Sequence, residues 1–550
     1  MKDSTKLLQF SIAIIAAILF IPFLGQAHLF DWDEINFAEA AREMIASKHY
    51  LTVQINFQPF WEKPPLFIWM QVLSMKVFGI NEFAARFPNA ICGIASLLVL
   101  FNLGRKLLNN NFGLLWTMVY GCSLLPFFYF KSGIIDPWFN LFIFLGINYA
   151  FNFTLSTVEK ERIRFVALAA LFIGLAILTK GPVGLLIFGL TYGVYLIIKM
   201  FKVKIKLLHV LVFTGILAAV GGFWFILLIV TGHTDILKEF FIYQVRLFQT
   251  KDAGHGGFLL YHFVVLFLGV FPASIFALRS FVHDRKDDRE KLHEYKNWMM
   301  ILFWTVLILF TIVKTKIVHY SSMCYFPLTF LGAYVIFKLQ EQNRSMPRWM
   351  KAVILSVAIF WGLIVIGLQL IVENKEKIIG LDIIKDEFAV GNLQANVPWT
   401  GYEFLIGLLF VVAITLIFAS HRLNLKNQVM AVLISTLLFT YATVYVITPR
   451  IEGYSQRAAI EFYQNRQNED CYVETLGFKS YAHLFYVQKP ASSNPKSADS
   501  QWLLEGEIDK PAYFVMKNTS KKEQLERHPQ LKVLYEKNGF VFVKRDISDK

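Results

Sequence analysis

Acidic side chains crowd the end of the first apolar segment of this chain. Asp31, Asp33 and Glu34 follow residues 7–29, a mostly apolar run that is long enough to cross a bilayer. Carboxylates at the mouth of a membrane helix are costly unless they are hydrated, paired or used in a reaction. A solvated pair is the simpler interpretation of Asp33 and Glu34, and general acid–base chemistry is the functional one.

A lysine followed by two prolines lies in the same loop, in the sequence Glu62-Lys63-Pro64-Pro65. Proline fixes φ and keeps the residue before it extended, so we expect Lys63 to be presented from a stiff strap. An ammonium aimed at headgroup depth suits a lipid phosphate. A lysine that only snorkels towards the interface is the alternative interpretation.

Two more charged residues stand at predicted helix ends. Asp136-Pro137 is typical of a helix start, and that geometry would also direct the carboxylate towards Asp33. Lys180 precedes Gly181-Pro182 in a very short turn, where it is either a turn lysine or a second cation for the same site.

Basic residues also occur where membrane topology disfavours them. A basic cluster falls on the predicted outer side and contains Lys314, Lys316, His319 and Tyr320, and Arg246 in the aromatic segment 236–250 lies on the same side. Cations placed against the topological bias predict an anion to bind. His255 lies in a glycine-rich loop, where it is either solvated or free to reach a carboxylate or a metal ion.

The composition identifies a polytopic membrane protein. The chain has 550 residues, of which 56% are hydrophobic and 17% charged, and its mean hydropathy is +0.49, whereas soluble domains carry about 25% charged residues. The net charge of +14 comes from Lys and Arg in short loops between apolar runs, which excludes nucleic acid as a partner. Four scattered cysteines indicate neither a disulfide framework nor a CxxC metal site.

About thirteen apolar segments are predicted to span the bilayer. They lie near residues 7–29, 84–104, 112–130, 137–155, 164–179, 183–199, 207–230, 258–278, 297–313, 318–338, 351–372, 401–420 and 428–447. The positive-inside rule places the amino terminus in the cytoplasm. The loops 31–83, 231–257 and 373–400 and the carboxyl-terminal tail then face outward, and residues 34–46 and 66–78 of the first loop are predicted to be interfacial helices.

Two domains are predicted, a membrane domain over 1–447 and a small soluble α/β domain over 448–550. Strands are expected at 471–476, 512–516, 531–535 and 539–544, and helices at 455–466, 480–486 and 521–526. The second domain has no catalytic constellation in its sequence, and a platform or acceptor-docking role is predicted for it.

Together these residues favour a reaction at the outer interface. Carboxylates would take a proton from an acceptor, which then attacks the anomeric carbon of a lipid-phosphate-linked sugar. The cations would stabilise the departing phosphate as its charge develops.

The first outer loop resembles that of bacterial integral-membrane glycosyltransferases. The resemblance rests on Asp33-Glu34, Ala41-Arg42-Glu43-Met44, Trp61-Glu62-Lys63-Pro64-Pro65-Leu66, Phe78-Gly79 and Arg86-Phe87-Pro88, with support from Asp136-Pro137, Thr179-Lys180-Gly181 and Lys314-Thr315-Lys316 followed by His319-Tyr320. The families concerned are the GT-C-fold lipid A aminoarabinose transferases and their protein mannosyltransferase relatives. The resemblance covers about residues 1–450.

The resemblance implies an inverting transfer from an undecaprenyl-phosphate-linked sugar in the bacterial inner membrane, with the active site on its periplasmic face. It implies catalytic or acceptor-organising roles for Asp33 and Asp136, beside which Glu34 is a further catalytic candidate. Predicted donor-phosphate ligands are Lys63, Lys180, Arg246, Lys314, Lys316 and Tyr320. No cofactor is certain; the aminoarabinose branch implies a possible divalent metal (Zn²⁺, or Mg²⁺ or Mn²⁺) held by Glu62 and His255.

The predicted acceptor is lipid A and the predicted sugar is 4-amino-4-deoxy-L-arabinose. A mannosyl-type transferase acting on protein or envelope glycan stays open, because Asn36 and Val318 replace the Arg and Pro of many aminoarabinose transferases. A transporter or flippase is the alternative from another class, but transporters place polar sites at the bilayer midplane between related halves. No internal repeat is evident here.

Overall fold

The computed structural model describes residues 2–249, 256–282 and 289–547. Most of the described chain is helical. The first part contains α1 Lys2–Phe20, α2 Asp33–Ser47, a short hairpin of β1 Gln54–Ile55 and β2 Gln58–Pro59, α3 Leu66–Phe78, α4 Glu82–Leu107, α5 Asn110–Gly121, α6 Leu124–Tyr129, α7 Asp136–Leu155, α8 Glu159–Lys180 and α9 Val183–Ile198.

The second part continues the helical bundle. It contains α10 Leu207–Gly221, α11 Phe223–Val230, α12 Thr234–Gln249, α13 Tyr261–Gly269, α14 Ala273–Val282, α15 Glu290–Ile312, a 3₁₀ helix Val318–Cys324, α16 Tyr325–Glu341, α17 Arg348–Glu373, α18 Lys375–Gly380, α19 Glu387–Leu393, α20 Phe404–Ala419, α21 Leu425–Ala442, a π-helical turn Thr443–Ile447 and α22 Thr448–Gly453.

The carboxyl-terminal part has four strands in one sheet. Its elements are α23 Arg457–Gln464, β3 Tyr472–Leu476, α24 Ala482–Val487, α25 Ser500–Glu505, β4 Ala512–Lys517, a 3₁₀ turn Asn518–Ser520, α26 Lys521–Arg527, β5 Lys532–Lys537 and β6 Phe540–Arg545. The strand order is β3-β4-β6-β5, and the pair β3–β4 is parallel while the other two pairs are antiparallel. All four predicted strands and three predicted helices are confirmed to within a few residues, whereas α25 was not predicted.

Helix length and composition alone support seven candidate membrane spans in the described chain, or nine if two bent helix pairs each count as one. The pairs α10–α11 and α13–α14 bend by 58° and 119°. Gly222 and Pro272 lie at these breaks, where each weakens or interrupts the helical hydrogen bonds. The predicted spans 7–29, 183–199 and 401–420 correspond to the apolar helices α1, α9 and α20, which are shorter than the long candidate spans. The predicted span 112–130 is divided into the two helices α5 and α6.

The helix α2, predicted as an interfacial helix, is covered by other parts of the protein. Every residue from Glu34 to Met44 is buried, because α24 and the carboxyl-terminal sheet share an apolar core with α2 and α3. The charges of α2 are satisfied inside this core. Arg42 forms a 2.7 Å ion pair with Glu39 and donates to the carbonyl of Lys489. By contrast, α3 keeps Leu73 and Val77 exposed.

One helical path connects the membrane bundle to the carboxyl-terminal part. The axis that begins at α21 continues through the π-helical turn into α22 and ends at Gly453, six residues past the predicted span. Glu452 then accepts hydrogen bonds from His28 (2.9 Å) and Arg457 (2.6 Å). The predicted domain boundary at residue 448 therefore falls inside a helix rather than in a linker.

The buried Glu43 generates a pH dependence of stability. Burial raises its pKa to about 9, and the neighbouring Glu39 carboxylate adds to the rise. Because the folded pKa exceeds the unfolded value of 4.5, this group weakens the fold progressively as the pH rises from 4.5 towards 9. We expect Glu43→Gln to raise the Tm at pH 8 and to leave it unchanged at pH 4.5.

The measurement is thermal unfolding of both proteins in one detergent across this pH range. Glu376→Gln, in the solvent-facing helix α18, is the matched control and should leave the profile unchanged. A Glu43→Gln protein whose Tm falls in parallel with the parent protein as the pH rises would contradict the assignment.

Candidate active site

A large cavity opens at the end of the bundle that the carboxyl-terminal part covers. Its volume is about 770 Å³, within the range of about 300–1,000 Å³ that is usual for ligand pockets. Its walls come from the segment after α1, the strap before α3, the starts of α4 and α7, the end of α8, α12, the 3₁₀ helix and α22. Charged or polar lining residues include Asp31, Asp33, Glu34, Glu62, Lys63, Arg86, Lys131, Asp136, Asn140, Lys180, Tyr243, His319 and Tyr320.

Asp136 and Lys180 form an ion pair in the cavity wall. The Lys180 Nζ donates to Asp136 Oδ1 at 2.6 Å. The other carboxylate oxygen, Oδ2, is buried and accepts no hydrogen bond from the described residues. A buried acceptor without a donor is energetically costly, so Oδ2 is well suited to receive a hydrogen bond from a ligand.

Turn chemistry fixes the position of Lys180. It is the last residue of α8, and the following Gly181 has a φ of +94°, which a residue with a Cβ adopts only with strain. A Cβ at this position would also lie 2.8 Å from the ring of Phe240 on α12. The ammonium lies 5.4 Å from the ring centroid of Tyr320, a cation–π contact.

Asp33 faces His319 across the cavity. The Asp33 Oδ2 to His319 Nε2 distance is 3.4 Å, and 29% of the Asp33 side chain is exposed, so the carboxylate is both placed and accessible. The backbone of His319 is held by Ser322, whose hydroxyl donates to the His319 carbonyl and accepts from Asn140. The sequence marked His319 as part of a basic cluster only.

The proline strap directs Lys63 into the cavity. Its Nζ lies 5.0 Å from the ring centroid of Tyr243 on α12, and the Tyr243 hydroxyl donates to Glu62 at 3.1 Å. Burial lowers the pKa of Lys63, and Lys180 lowers it further, while the Glu62, Asp33 and Asp136 carboxylates act in the opposite direction. Lys63 is therefore an ammonium that loses its proton more readily than an ordinary lysine.

Tyr243 and Asn140 were not predicted as site residues. A weak signal existed for each: Tyr243 lies in the aromatic segment around Arg246, and Asn140 lies one turn after Asp136 on the same helix face. Neither residue type distinguishes a cavity wall from a packed interface without the fold.

Glu34 braces the cavity and has no free oxygen for substrate. The Arg86 guanidinium binds both of its carboxylate oxygens, at 3.0 and 2.8 Å, and the backbone amides of Phe30 and Gly133 donate to them as well. Burial alone would raise the pKa of Glu34, but the Arg86 charge and these hydrogen bonds lower it overall. We therefore assign Glu34 a positioning role in place of the predicted catalytic one.

Three predicted phosphate ligands lie outside the lining of the cavity. The Nζ of Lys316 donates to the carbonyls of Phe310 and Thr311 at the end of α15, which accounts for the lysine structurally. Lys314 is exposed. Arg246 packs over the Tyr243 ring at 5.1 Å, so it borders the wall without lining it.

Only one of the two predicted metal ligands, Glu62, lies within the described residues. Glu62 lines the cavity and accepts from Tyr243, whereas His255 lies outside the described residues. Within the described chain, no three His, Cys, Asp or Glu side chains cluster as a metal site would require. Of the predicted pair, the described residues thus supply only the Glu62 carboxylate, and they hold no cluster that by itself fits a divalent ion.

Removing one partner of the Glu34–Arg86 pair should destabilise the protein strongly. Arg86→Met leaves a buried carboxylate without its cation, a change that typically costs about 3–5 kcal/mol. The pKa of Glu34 is lower in the folded protein than the unfolded value of 4.5. The pair therefore stabilises the fold fully above pH 4.5, and this stabilisation is lost as the pH falls through the folded pKa. We expect a large fall in Tm at pH 7 and a smaller one at acidic pH.

The double variant Glu34→Leu with Arg86→Met is the matched comparison, since it leaves no unpaired charge. It should recover part of the Tm but not all, because Arg86 also donates to the carbonyls of Leu24, Ala27 and His28. Equal Tm values for the single and double variants would argue against the ion pair as the stabilising element.

Comparison with known proteins identifies the fold. The family model of dolichyl-phosphate-mannose-protein mannosyltransferases matches residues 62–225. Two undecaprenyl phosphate-alpha-4-amino-4-deoxy-L-arabinose arabinosyl transferases are similar in sequence. The one from Wigglesworthia glossinidia brevipalpis is 26% identical over 345 residues, which is 62% of this chain and 60% of the relative. The one from Shewanella sediminis is 27% identical over 360 residues, or 62% of each chain. The match thus spans about three fifths of the length of these curated relatives.

The fold likeness extends over nearly the whole chain. The crystal structure of ArnT from Cupriavidus metallidurans bound to undecaprenyl phosphate superposes with a TM-score of 0.77 at 17% identity and covers 98% of both chains. Its apo form gives a TM-score of 0.75 with the same coverage. The resemblance predicted from the first outer loop is therefore confirmed: the chain is a multi-pass membrane protein with the GT-C glycosyltransferase fold, similar to aminoarabinose transferases and protein mannosyltransferases.

Proposed function

We propose that this protein is an inverting glycosyltransferase that uses an undecaprenyl-phosphate-linked sugar. The favoured reaction transfers 4-amino-4-deoxy-L-arabinose to lipid A. The observation that carries the proposal is the convergence of Asp33, Asp136, Lys63 and Lys180 on one cavity. Carboxylates and ammonium groups in one enclosed site suit a reaction in which a proton leaves one substrate and a phosphate leaves the other.

The chemical step uses the two carboxylates differently. Asp33 is accessible and takes the proton of the acceptor hydroxyl, or orients an acceptor that is already ionised. The acceptor oxygen then forms a bond to the anomeric carbon as the bond from that carbon to the phosphate oxygen breaks, and the phosphate leaves with the electron pair. The free Oδ2 of Asp136 accepts a hydrogen bond from a sugar hydroxyl, while the ion pair with Lys180 holds this carboxylate in place.

Lys63 stabilises the leaving phosphate. Its ammonium is aimed into the cavity by the prolines and by the Tyr243 ring, and its charge is most useful when negative charge develops on the phosphate. Tyr320 packs on Lys180 and so belongs to the same wall. The undecaprenyl phosphate bound to ArnT from Cupriavidus metallidurans, which shares the fold, supports a lipid phosphate as the donor class.

The membrane placement is part of the proposal. We place the protein in the bacterial inner membrane with about thirteen crossings, counting the shorter and bent apolar helices together with the long ones. The cavity and the carboxyl-terminal part then face the periplasm, as the distribution of Lys and Arg predicts. A lipid-linked donor would reach the cavity from the outer leaflet.

The carboxyl-terminal part is proposed to dock the acceptor. The Tyr481 ring lies 5.3 Å from the ring of Trp32, which lines the cavity, and the Lys479 ammonium lies 4.9 Å from that same Trp32 ring. An ammonium and two aromatic rings beside the mouth suit an acceptor that carries both anionic and sugar groups.

A mannosyl-type transferase acting on protein or envelope glycan is the second candidate. It is favoured by the mannosyltransferase family model, which matches the strap and the helices that follow it. Both candidates use the same cavity and the same donor class, so they differ in sugar and acceptor alone.

Asp33→Asn should abolish most of the transfer activity. Purified protein in lipid vesicles, given a polyprenyl-phosphate sugar and acceptor, is expected to release free polyprenyl phosphate. Loss of a general base typically lowers the rate by about 10²–10⁴-fold. The control is Asp382→Asn, because this aspartate is 80% exposed in a loop and contacts only Lys385 among the described residues.

Two results would count against the proposal. Solute uptake with no lipid consumed would favour a transporter, and equal activity of the two variants would remove Asp33 from the mechanism. Mass spectrometry of lipid A from cells with and without the protein then decides the acceptor. An unchanged lipid A would favour the mannosyl-type alternative.

The lowered pKa of Lys63 predicts how the transfer activity depends on pH. Since burial lowers its pKa below the ordinary 10.5, kcat/KM for the donor should fall on the alkaline side before an ordinary lysine would lose its proton. Lys63→Arg should retain part of the activity and move this alkaline limb upward, because arginine stays charged. Lys63→Gln should be largely inactive at all pH values.

Lys76→Gln is the matched control, because this lysine is exposed in α3 and packs on Tyr50 away from the cavity lining. It should reproduce the parent profile. An alkaline limb that stays in place in Lys63→Arg would assign the limb to another group.

A further inference from the structure

A second, smaller pocket lies at the opposite end of the helices that form the large cavity. Its volume is about 290 Å³, and it lies between the ends of α4 and α7, the start of α8 and the start of α15. On α8, Lys180 lines the large cavity and Arg164 lines this pocket, a separation of about 24 Å at about 1.5 Å per residue. The lysine and arginine pattern places this end in the cytoplasm.

Three cations surround the pocket. Lys106 ends α4, Arg164 lies in the first turns of α8 and Lys291 begins α15, so three separate elements converge here. The Lys291 Nζ donates to the carbonyl of Lys106 at 3.4 Å, which holds α15 against α4. Within the described chain, none of the three forms an ion pair with a carboxylate.

Uncharged polar groups also line the pocket. The hydroxyl of the buried Tyr295 donates to Asn148 at 2.7 Å, and Asn152 donates its amide N–H to the Asn148 carbonyl at 2.7 Å. The Asn152 Oδ1 accepts no hydrogen bond from the described residues. Tyr149 stacks on Phe172 with its ring planes 6° apart and also lines the pocket.

Leucines also line the pocket, on the same helices as the polar groups. They are Leu103, Leu107, Leu145 and Leu168. The pocket therefore combines cations with an apolar surface, as the boundary between lipid headgroups and acyl chains does.

Topology alone accounts for cations at this end of the helices. It does not require them to surround a pocket whose wall holds an unused amide oxygen and an aromatic ring. Basic pockets between membrane helices on the cytoplasmic side are typical binding places for anionic lipid headgroups. The volume is just below the usual range of about 300–1,000 Å³ for small-molecule sites, so it suits a headgroup rather than a whole lipid.

We propose that this pocket binds the headgroup of an anionic phospholipid of the cytoplasmic leaflet, with a hydroxylated headgroup of the phosphatidylglycerol class. The phosphate lies against Lys106, Arg164 and Lys291, and a headgroup hydroxyl donates to Asn152 Oδ1. The site is separate from the transfer chemistry, and of the proposed function it rests on the membrane placement alone. Its occupancy ties the ends of α4, α8 and α15 together.

The test measures lipid retention by the intact protein. The protein is purified in a neutral detergent and titrated with phosphatidylglycerol or phosphatidylcholine, and bound lipid is counted by native mass spectrometry. We expect retention of phosphatidylglycerol over phosphatidylcholine. The triple variant Lys106→Gln, Arg164→Gln, Lys291→Gln should bind phosphatidylglycerol about a hundredfold more weakly, since each cation near a membrane surface contributes about one kcal/mol.

A charge-matched control separates the pocket from the general charge of this face. The triple variant Lys160→Gln, Lys202→Gln, Lys426→Gln removes three exposed cations that lie outside the pocket lining, and it should bind like the parent protein. Asn152→Ala should lower binding of phosphatidylglycerol while leaving that of phosphatidic acid, which has no headgroup hydroxyl, unchanged.

The proposal is overturned if both triple variants lose phosphatidylglycerol equally, since binding would then reflect the charge of the whole face. It is also overturned if phosphatidylcholine is retained as well as phosphatidylglycerol. If the pocket variant fails to fold, Asn152→Ala still tests the proposal, because this substitution removes no charge. Equal binding of phosphatidylglycerol by Asn152→Ala and by the parent protein would then overturn it.

Discussion

The ion pair between Glu34 and Arg86 underlies the geometry of the candidate site. Arg86 binds both oxygens of Glu34 and three carbonyls of the segment that follows α1, while Glu34 also accepts from the amide of Gly133. One buried ion pair thus holds together α4, the start of α2, the segment after α1 and the segment before α7. Asp33 is the residue next to Glu34, so its position relative to His319 depends directly on this pair.

The charges of the cavity are arranged before any substrate arrives. Lys180 restrains Asp136 and Tyr243 restrains Glu62, so these two carboxylates are held in place by the protein itself. Preorganised charge of this kind is the largest contribution to many enzymatic rate accelerations. Apolar side chains make up most of the wall and lower the local dielectric constant, which strengthens each of these interactions.

Much of the candidate site could be predicted from charged residues that are rare in apolar sequence surroundings. Lys63 before two prolines and Asp136 at a helix start are informative because apolar surroundings make charges expensive. Lys316 shows the limit of such reasoning, since capping of the end of α15 explains it equally well and only the fold decides. The burial of α2 could not be predicted, because its partner surface comes from residues more than 400 positions away. The bends inside the predicted spans 207–230 and 258–278 could not be predicted either, because the helix breaks at Gly222 and Pro272 depend on packing that composition does not encode.

The helix that runs from α21 through α22 has a mechanical consequence. Val444, Thr448 and Pro449 on this helix line the cavity, and a few residues later Glu452 is clamped by His28 and Arg457. One continuous helical path thus joins the wall of the cavity to the carboxyl-terminal part. We therefore expect any tilt of the carboxyl-terminal part against the bundle to change the width of the cavity.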